Sequence, residues 1–205
     1  MNLWQDLQDA CWQNYLETKD YKGAFSIDGL KGAGMTGMMI NKNIRGGVCL
    51  DIGCGIMPKP FYMKVASSVK FIGIDPFEGD KQREFEFVNA KSENLPFRDS
   101  VFDGVLFGTS LDHVIDVKKS ISEAYRVLKV GGHLFVWIAI KKNDKKYQVW
   151  LNKKKPAKYD SFHLQAFTDD SIRELLFDFI FIEKKRVSPK VNNESIYHYK
   201  KCVEE

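Results

Sequence analysis

The sequence predicts an α/β fold: one domain built on a seven-stranded, mostly parallel sheet with helices on both faces. Three observations carry that prediction. From residue 48 onward, apolar runs of strand length alternate with helix-period segments, and such alternation implies right-handed crossovers and a parallel sheet. Residues 48–55, VCLDIGCG, end an apolar run in an acid and two glycines. A buried parallel strand has that form where it enters a tight backbone turn. Residues 179–187 and 196–203 are aromatic-rich and close the chain as two further strands.

Residues 2–18 read as an amphipathic helix, with Leu3, Leu7, Ala10 and Cys11 on one face, broadened by Trp4, Trp12, Tyr15 and Leu16. Residues 21–47 are rich in glycine and methionine without a clear period, and are expected to form a flap or loop. The first strand is Val48–Ile52. Pro58 and Pro60 open a short helix through Ala66. Strands follow at Val69–Asp75, Glu84–Ala90 and Val101–Phe107. A helix is expected from Ile115 to Lys129, with Val117, Ile121, Ala124, Tyr125 and Leu128 on one stripe and Gly131-Gly132 ending it. His133–Ile140 is a fifth strand. Thr168 caps a helix to about Asp178, with Asp169 and Asp170 in its first turn.

The chain of 205 residues is long enough to bury a core. It has no apolar run of bilayer length and no basic-then-apolar leader. Its four cysteines (Cys11, Cys49, Cys54, Cys202) form no Cys-x-x-Cys pair, which argues against structural zinc or a disulfide framework. A reduced, cytoplasmic setting is the expectation. The net charge of +4 is unevenly spread: residues 141–158 hold eight lysines and Asp144, a local +7 that leaves −3 elsewhere. The domain plan is a helix and flap to residue 45, a core over 46–140, a lysine-rich linker over 141–160, and a C-terminal helix and strands from 161.

In sheets of this kind ligands bind at the carboxyl ends of the strands, near the point where strand order reverses. Asp51, Asp75 and Phe107–Ser110 fall at such ends. Asp51 with Gly53 and Gly55 joins a fixed carboxylate to bare backbone, which suits a charged small molecule. Asp75 lies 24 residues later in GIDP, where a carboxylate accepts from both hydroxyls of a ribose. The loop after the third strand, through Ser92, Glu93 and Leu95-Pro96-Phe97, can flank an adenine. The segment 123–132, EAYRVLKVGG, reads as a capped helix with a mainly structural role. A competing signal is Gly32-Ala-Gly34-Met-Thr-Gly37, a literal Gly-x-Gly-x-x-Gly with Asp51 at 19 residues from Gly32. Its context fails, because residues 24–28 make a poor buried strand and only a short helix fits before residue 48.

In this order and spacing, CLDIGCG, GIDP, NLPFRDSVFDGVLF and EAYRVLKVGG resemble the class I S-adenosylmethionine-dependent methyltransferases, specifically the small-molecule group often called type 11. The match covers about residues 46–140, with a weaker extension to 203. The resemblance implies a Rossmann-like fold and S-adenosyl-L-methionine as cofactor. It implies that Gly53 and Gly55 line the methionine moiety, Asp51 orients its amino group, Asp75 holds the ribose, and residues 91–93 face the adenine. Cofactor contacts are thus expected from Asp51, Gly53, Cys54, Gly55, Asp75, Pro76, Lys91, Ser92, Glu93 and Gly108. Three departures stand out: Lys91 replaces the usual acid, which removes the adenine N6 contact or moves it to Glu93; Ile56-Met57-Pro58 replaces the third glycine; Val130 replaces the usual proline before Gly-Gly.

Transfer from a sulfonium is an in-line displacement, so positioning and exclusion of water come first. A general base helps a hydroxyl acceptor. His113, in the segment TSLDH after the fourth strand, and His163, before the late helix, are the candidate bases, with Asp112 beside His113; a hydrogen-bonded structural histidine is the competing reading of each. The lysine segment suits an anionic acceptor such as a nucleotide-linked sugar, or is a solvated loop. The reading is a methyltransferase for a small polar or anionic acceptor, with a saccharide or nucleotide-linked sugar as the candidate. RNA methylation and a non-catalytic partner subunit of the same fold are the alternatives.

Overall fold

The computed structural model describes residues 27–79, 82–141, 164–187 and 193–202. The expected helix over 2–18, His163 and all of the lysine segment after Lys141 lie outside these residues.

Helix α1 is Ile27–Asn43, followed by β1 Val48–Ile52, α2 Phe61–Val65, β2 Lys70–Asp75, β3 Glu86–Asn89 and β4 Phe102–Gly108. A 3-10 turn at Leu111–His113 precedes α3 Val117–Val127, β5 Leu128–Ala139, α4 Asp169–Leu175, β6 Phe179–Arg186 and β7 Glu194–Lys201. The seven strands are ordered β3-β2-β1-β4-β5-β7-β6. β1 pairs in parallel with both β2 and β4, whereas β7 runs antiparallel to β5 and to β6. Strand order therefore reverses between β1 and β4, and the carboxyl ends of β1, β2 and β4 share one edge.

Central strands buried on both faces must be apolar in nearly every position. Leu106 and Phe135 join Met39, Ile40 and Tyr62 on the α1–α2 side. Their neighbours Val105, Phe107, Leu134 and Val136 join Ile121, Ala124 and Ile172 on the α3–α4 side.

Two expectations about element type or extent are corrected. The glycine-rich segment is not a flap or loop: residues 27–43 are helical. Glycine costs a helix roughly 1 kcal/mol relative to alanine, so local propensity argued against it. Packing decides otherwise. A Cβ on Gly32 would lie 2.4 Å from the Trp137 ring, and one on Gly37 would lie 2.6 Å from the Tyr62 carbonyl oxygen. The glycines let α1 lie directly on β5 and α2. The helix expected through Lys129 instead ends at Val127, and β5 begins at Leu128. Gly131, at φ +73°, sits where the β4–β5 register shifts between Leu128 and His133. It makes a bulge within a strand rather than a helix terminator. Lys201 Nζ caps the freed end of α3, donating to the carbonyls of Tyr125 and Leu128, both at 2.9 Å. The Thr168 cap is present as expected, reciprocated by Ser171. α3 starts at the Asp116 cap, whose Oδ1 accepts from the Lys119 N–H at 2.9 Å.

Candidate cofactor site at the switch point

Parallel register places Ile52 of β1 level with Ile74 of β2 and Phe107 of β4. Asp51 and Asp75 therefore meet at the same edge of adjacent strands. After Ile52 the chain must reverse within two residues. Gly53 does so at φ +75°, a conformation that strains residues with a Cβ. Its N–H and that of Cys54 donate to the Ile74 carbonyl at 2.9 and 3.0 Å. A Cβ on Gly53 would lie 2.4 Å from Ser110 Cβ, so only glycine fits. Gly55, at φ +68°, has open space where a Cβ would stand. Its N–H donates to Asp75 Oδ2 at 2.9 Å. Cys54 is buried, and burial with the nearby Asp51 charge pushes its thiol up.

Asp51 is fully buried. Its Oδ2 accepts from the Tyr62 hydroxyl at 2.7 Å, and its Oδ1 has no hydrogen-bond partner among the described residues. Burial pushes its carboxyl up to about 7, against the pull of the Tyr62 bond and with help from the Asp75 charge. Asp75 Oδ1 accepts from the Phe77 N–H at 2.9 Å. Burial raises Asp75 too, opposed by the Phe77 and Gly55 N–H groups and by the charges of Arg83 and His113. Arg83 Nη2 donates to the carbonyls of Gly55 and Phe77 at 2.9 and 3.0 Å, while its guanidinium lies 3.6 Å from the Phe87 ring centroid. One side chain thereby ties the glycine turn to the β2 exit. The Pro76 carbonyl accepts from Asn89 Nδ2 at 3.1 Å.

Beyond β3, Lys91 is exposed and Ser92 is buried. Ser92 Oγ lies 2.8 Å from Ser120 Oγ on α3. Glu93 Oε1 accepts from the N–H groups of Ile115 and Asp116 at 2.9 and 3.3 Å. The 91–93 loop is thus fastened to the entrance of α3. Below it, Glu123 and Arg126 bind the 95–99 loop: Leu95 N–H donates to Glu123 Oε2 at 2.8 Å, and Arg126 donates to the Phe97 and Leu95 carbonyls at 2.7 and 3.0 Å. The two motifs read apart in the sequence form one structural unit.

β4 ends at Gly108, where a Cβ would stand 3.7 Å from the Tyr62 ring. Thr109 follows at φ +60°, exposed, with its N–H donating to the Trp137 carbonyl at 2.8 Å. A β-branched residue in this region marks local strain. Ser110 Oγ donates to the Ile52 carbonyl and binds the β4 exit to the β1 exit. His113 Nε2 lies 3.9 Å from Asp112 Oδ1, in the 3-10 turn Leu111–His113 that follows the carboxyl end of β4. The Asp112 carbonyl accepts from the N–H groups of Leu164 and Gln165 at 2.8 and 3.0 Å, so the chain immediately after His163 returns to His113's turn.

Tyr62, Arg83 and Thr109 are missing from the residues singled out in the sequence. Tyr62 carried the signal of an ordinary apolar helix. Arg83 stood in the charged run EGDKQR, which reads as solvated surface. Thr109 is distinguished only by its backbone angle.

Sheet order, one antiparallel strand next to the edge, and an acid–glycine turn at the switch point define the class I methyltransferase fold. Residues 50–136 match the family model described as "Methyltransferase domain". An uncharacterised protein of Methanocaldococcus jannaschii is 36% identical over 92 residues, 45% of this chain and 43% of that one. The ubiquinone/menaquinone biosynthesis C-methyltransferase of Brucella anthropi is 41% identical over 69 residues, 32% of this chain and 26% of the enzyme. The matched stretches thus span less than half of either curated relative. The Burkholderia thailandensis 1,6-didemethyltoxoflavin-N1-methyltransferase, solved with 1,6-didemethyltoxoflavin and S-adenosylhomocysteine, superposes with a TM-score of 0.73 at 15% identity, covering 97% of this chain and 89% of that one. That likeness is one of fold. Among the described residues no helix is long and apolar enough to cross a membrane.

Proposed function

We propose that the protein is an S-adenosylmethionine-dependent methyltransferase acting on a small polar or anionic acceptor. One observation carries the reading: Asp51, buried at the end of β1, keeps an oxygen without a partner among the described residues beside a glycine turn with room for a ligand at Gly55. An orphaned buried acceptor is costly, and a cationic ligand group is the partner that would offset it. The α-ammonium of a bound methionine moiety has that chemistry. Asp75 would accept from the ribose hydroxyls, and Ser92 and Glu93 would border the adenine, with Pro76 and Gly108 lining the cleft.

The bound sulfonium supplies an activated methyl group for in-line displacement. This chain's own residues orient the donor, close its cleft to water and, for a hydroxyl acceptor, take up a proton. His113 is the candidate base within the described residues; His163 precedes the segment that binds Asp112. The lysine-rich stretch, with its local charge of +7, favours an anionic acceptor, a saccharide or nucleotide-linked sugar fitting best. The test is calorimetric titration with S-adenosylhomocysteine, followed by an acceptor screen with methyl-labelled donor that includes nucleotide sugars. Binding with labelled product from an anionic acceptor is the expected result; absence of S-adenosylhomocysteine binding would sink the enzyme reading.

A further inference from the structure

The two oxygens of Asp51 have different surroundings. Oδ2 is held by the Tyr62 hydroxyl at 2.7 Å; Oδ1 is buried without a partner among the described residues. The terminal torsion of an aspartate is broad and twofold, so an unheld carboxylate presents either oxygen over a range of directions. A donor that fixes one oxygen fixes where the other points.

Tyr62 is built for that task. Burial, then the Asp51 charge, pushes its hydroxyl well up, so it stays protonated and donates. Its ring packs against Phe71 at a centroid distance of 6.5 Å and faces Gly108 at the β4 exit, where even a Cβ would stand only 3.7 Å from Cε1. Its carbonyl would be 2.6 Å from a Cβ on Gly37. The closeness of α1 to α2 therefore depends on that glycine and helps set the height of Tyr62 over Asp51. The residues that read as a misplaced dinucleotide fingerprint contribute to this alignment.

We infer that Tyr62 is the positioning residue of the donor site: its hydroxyl orients Asp51 so that Oδ1 meets the ammonium of the donor's amino-acid end. The inference rests on the cofactor reading above. Tyr62 acts through Asp51, so its effect is confined to ligands that carry that ammonium.

The test compares two probes on the full chain by calorimetry. S-adenosylhomocysteine has the amino-acid end; 5′-methylthioadenosine has the same nucleoside and lacks it. Tyr62→Phe keeps the ring and removes the hydroxyl. The expected result is a loss of about tenfold in S-adenosylhomocysteine affinity, the scale of one hydrogen bond to a charged group, with 5′-methylthioadenosine unchanged within about twofold. Unchanged nucleoside binding also shows that the variant is folded. In an Asp51→Asn background, Tyr62→Phe should cost little more. Equal loss for both probes, or no loss for either, overturns the assignment. If the wild-type chain binds neither probe, the cofactor reading itself fails and the Tyr62 role falls with it.

Discussion

The Gly55 N–H donates to Oδ2 of Asp75 at 2.9 Å, so the turn that leaves β1 is fastened to the carboxylate that ends β2. The donor cleft proposed above has two walls, and this bond joins them. Asp75→Ala should then weaken S-adenosylhomocysteine and 5′-methylthioadenosine alike, on the order of 100-fold, because both share the ribose and charged hydrogen bonds are worth ~1.5–3 kcal/mol each. Calorimetry with both probes measures this; unchanged affinity for either would refute the ribose assignment. Equal loss at Asp75 and selective loss at Tyr62 would separate the two ends of the donor.

In the proposed donor site, Asp51 would set binding against stability. Its carboxyl stands at about 7 in the fold against the ordinary ~4 of an unfolded chain. Between those values the folded state holds a proton that the unfolded chain has released, so stability is lost as pH rises from about 4 through 7. Asp51→Asn removes that loss. The variant should gain several degrees in Tm over wild type at pH 8, gain nothing at pH 4, and bind S-adenosylhomocysteine at least about tenfold more weakly. Thermal scans across pH check this, and a difference that does not grow with pH would refute the titration.

Glu123 secures the 95–99 loop from beneath. Its Oε2 accepts from the buried Leu95 N–H at 2.8 Å and from Arg126 Nη2 at 2.8 Å, and Arg126 holds its carboxyl below the usual range. Glu123→Ala would leave a backbone donor and a guanidinium short of partners, costing about 2–3 kcal/mol. Urea unfolding should show a lower midpoint with an unchanged slope. Glu123→Gln keeps an acceptor for Leu95 and should cost less. An alanine effect below about 0.5 kcal/mol would mean that the loop holds without it.

Acid should destabilise the far side of the sheet. His198 is buried, with Nε2 2.8 Å from His133 Nδ1 and its ring stacked 4.8 Å from that of Phe135. Burial, reinforced by His133, lowers it to about 4. The unfolded chain takes up this proton near 6.5 and the folded chain only near 4, so stability present above 6.5 is lost as pH falls toward 4, by up to about 3 kcal/mol. His198→Gln should flatten the stability profile over that window. A profile unchanged by the substitution would place the acid sensitivity elsewhere.

Much of the fold was legible because its signals are local. Strand-length apolar runs, a strand ending in Asp51-Ile-Gly53, and Thr168 ahead of two acids each report a backbone state that neighbouring residues impose. The shared edge of Asp51 and Asp75 was legible for the same reason, since adjacent parallel strands carry both residues there. The glycine segment failed this rule. Residues 32–37 read as loop because helix propensity counts a glycine's entropy, whereas the contacts that reward the glycine come from Trp137 and Tyr62, more than 20 residues away.

The sequence by itself determined the class of fold, the succession of strands along the chain and the two carboxylates at strand ends. Only the tertiary structure decided that α1 is a helix, that Gly131 bulges a strand, that Arg83 ties two exits together and that Tyr62 holds one oxygen of Asp51. Periodicity and turn chemistry act over a few residues and can be read along the chain. A hydrogen bond between α2 and β1, or the approach of one helix to another, depends on packing that brings distant segments within a few ångströms, and no local pattern encodes it.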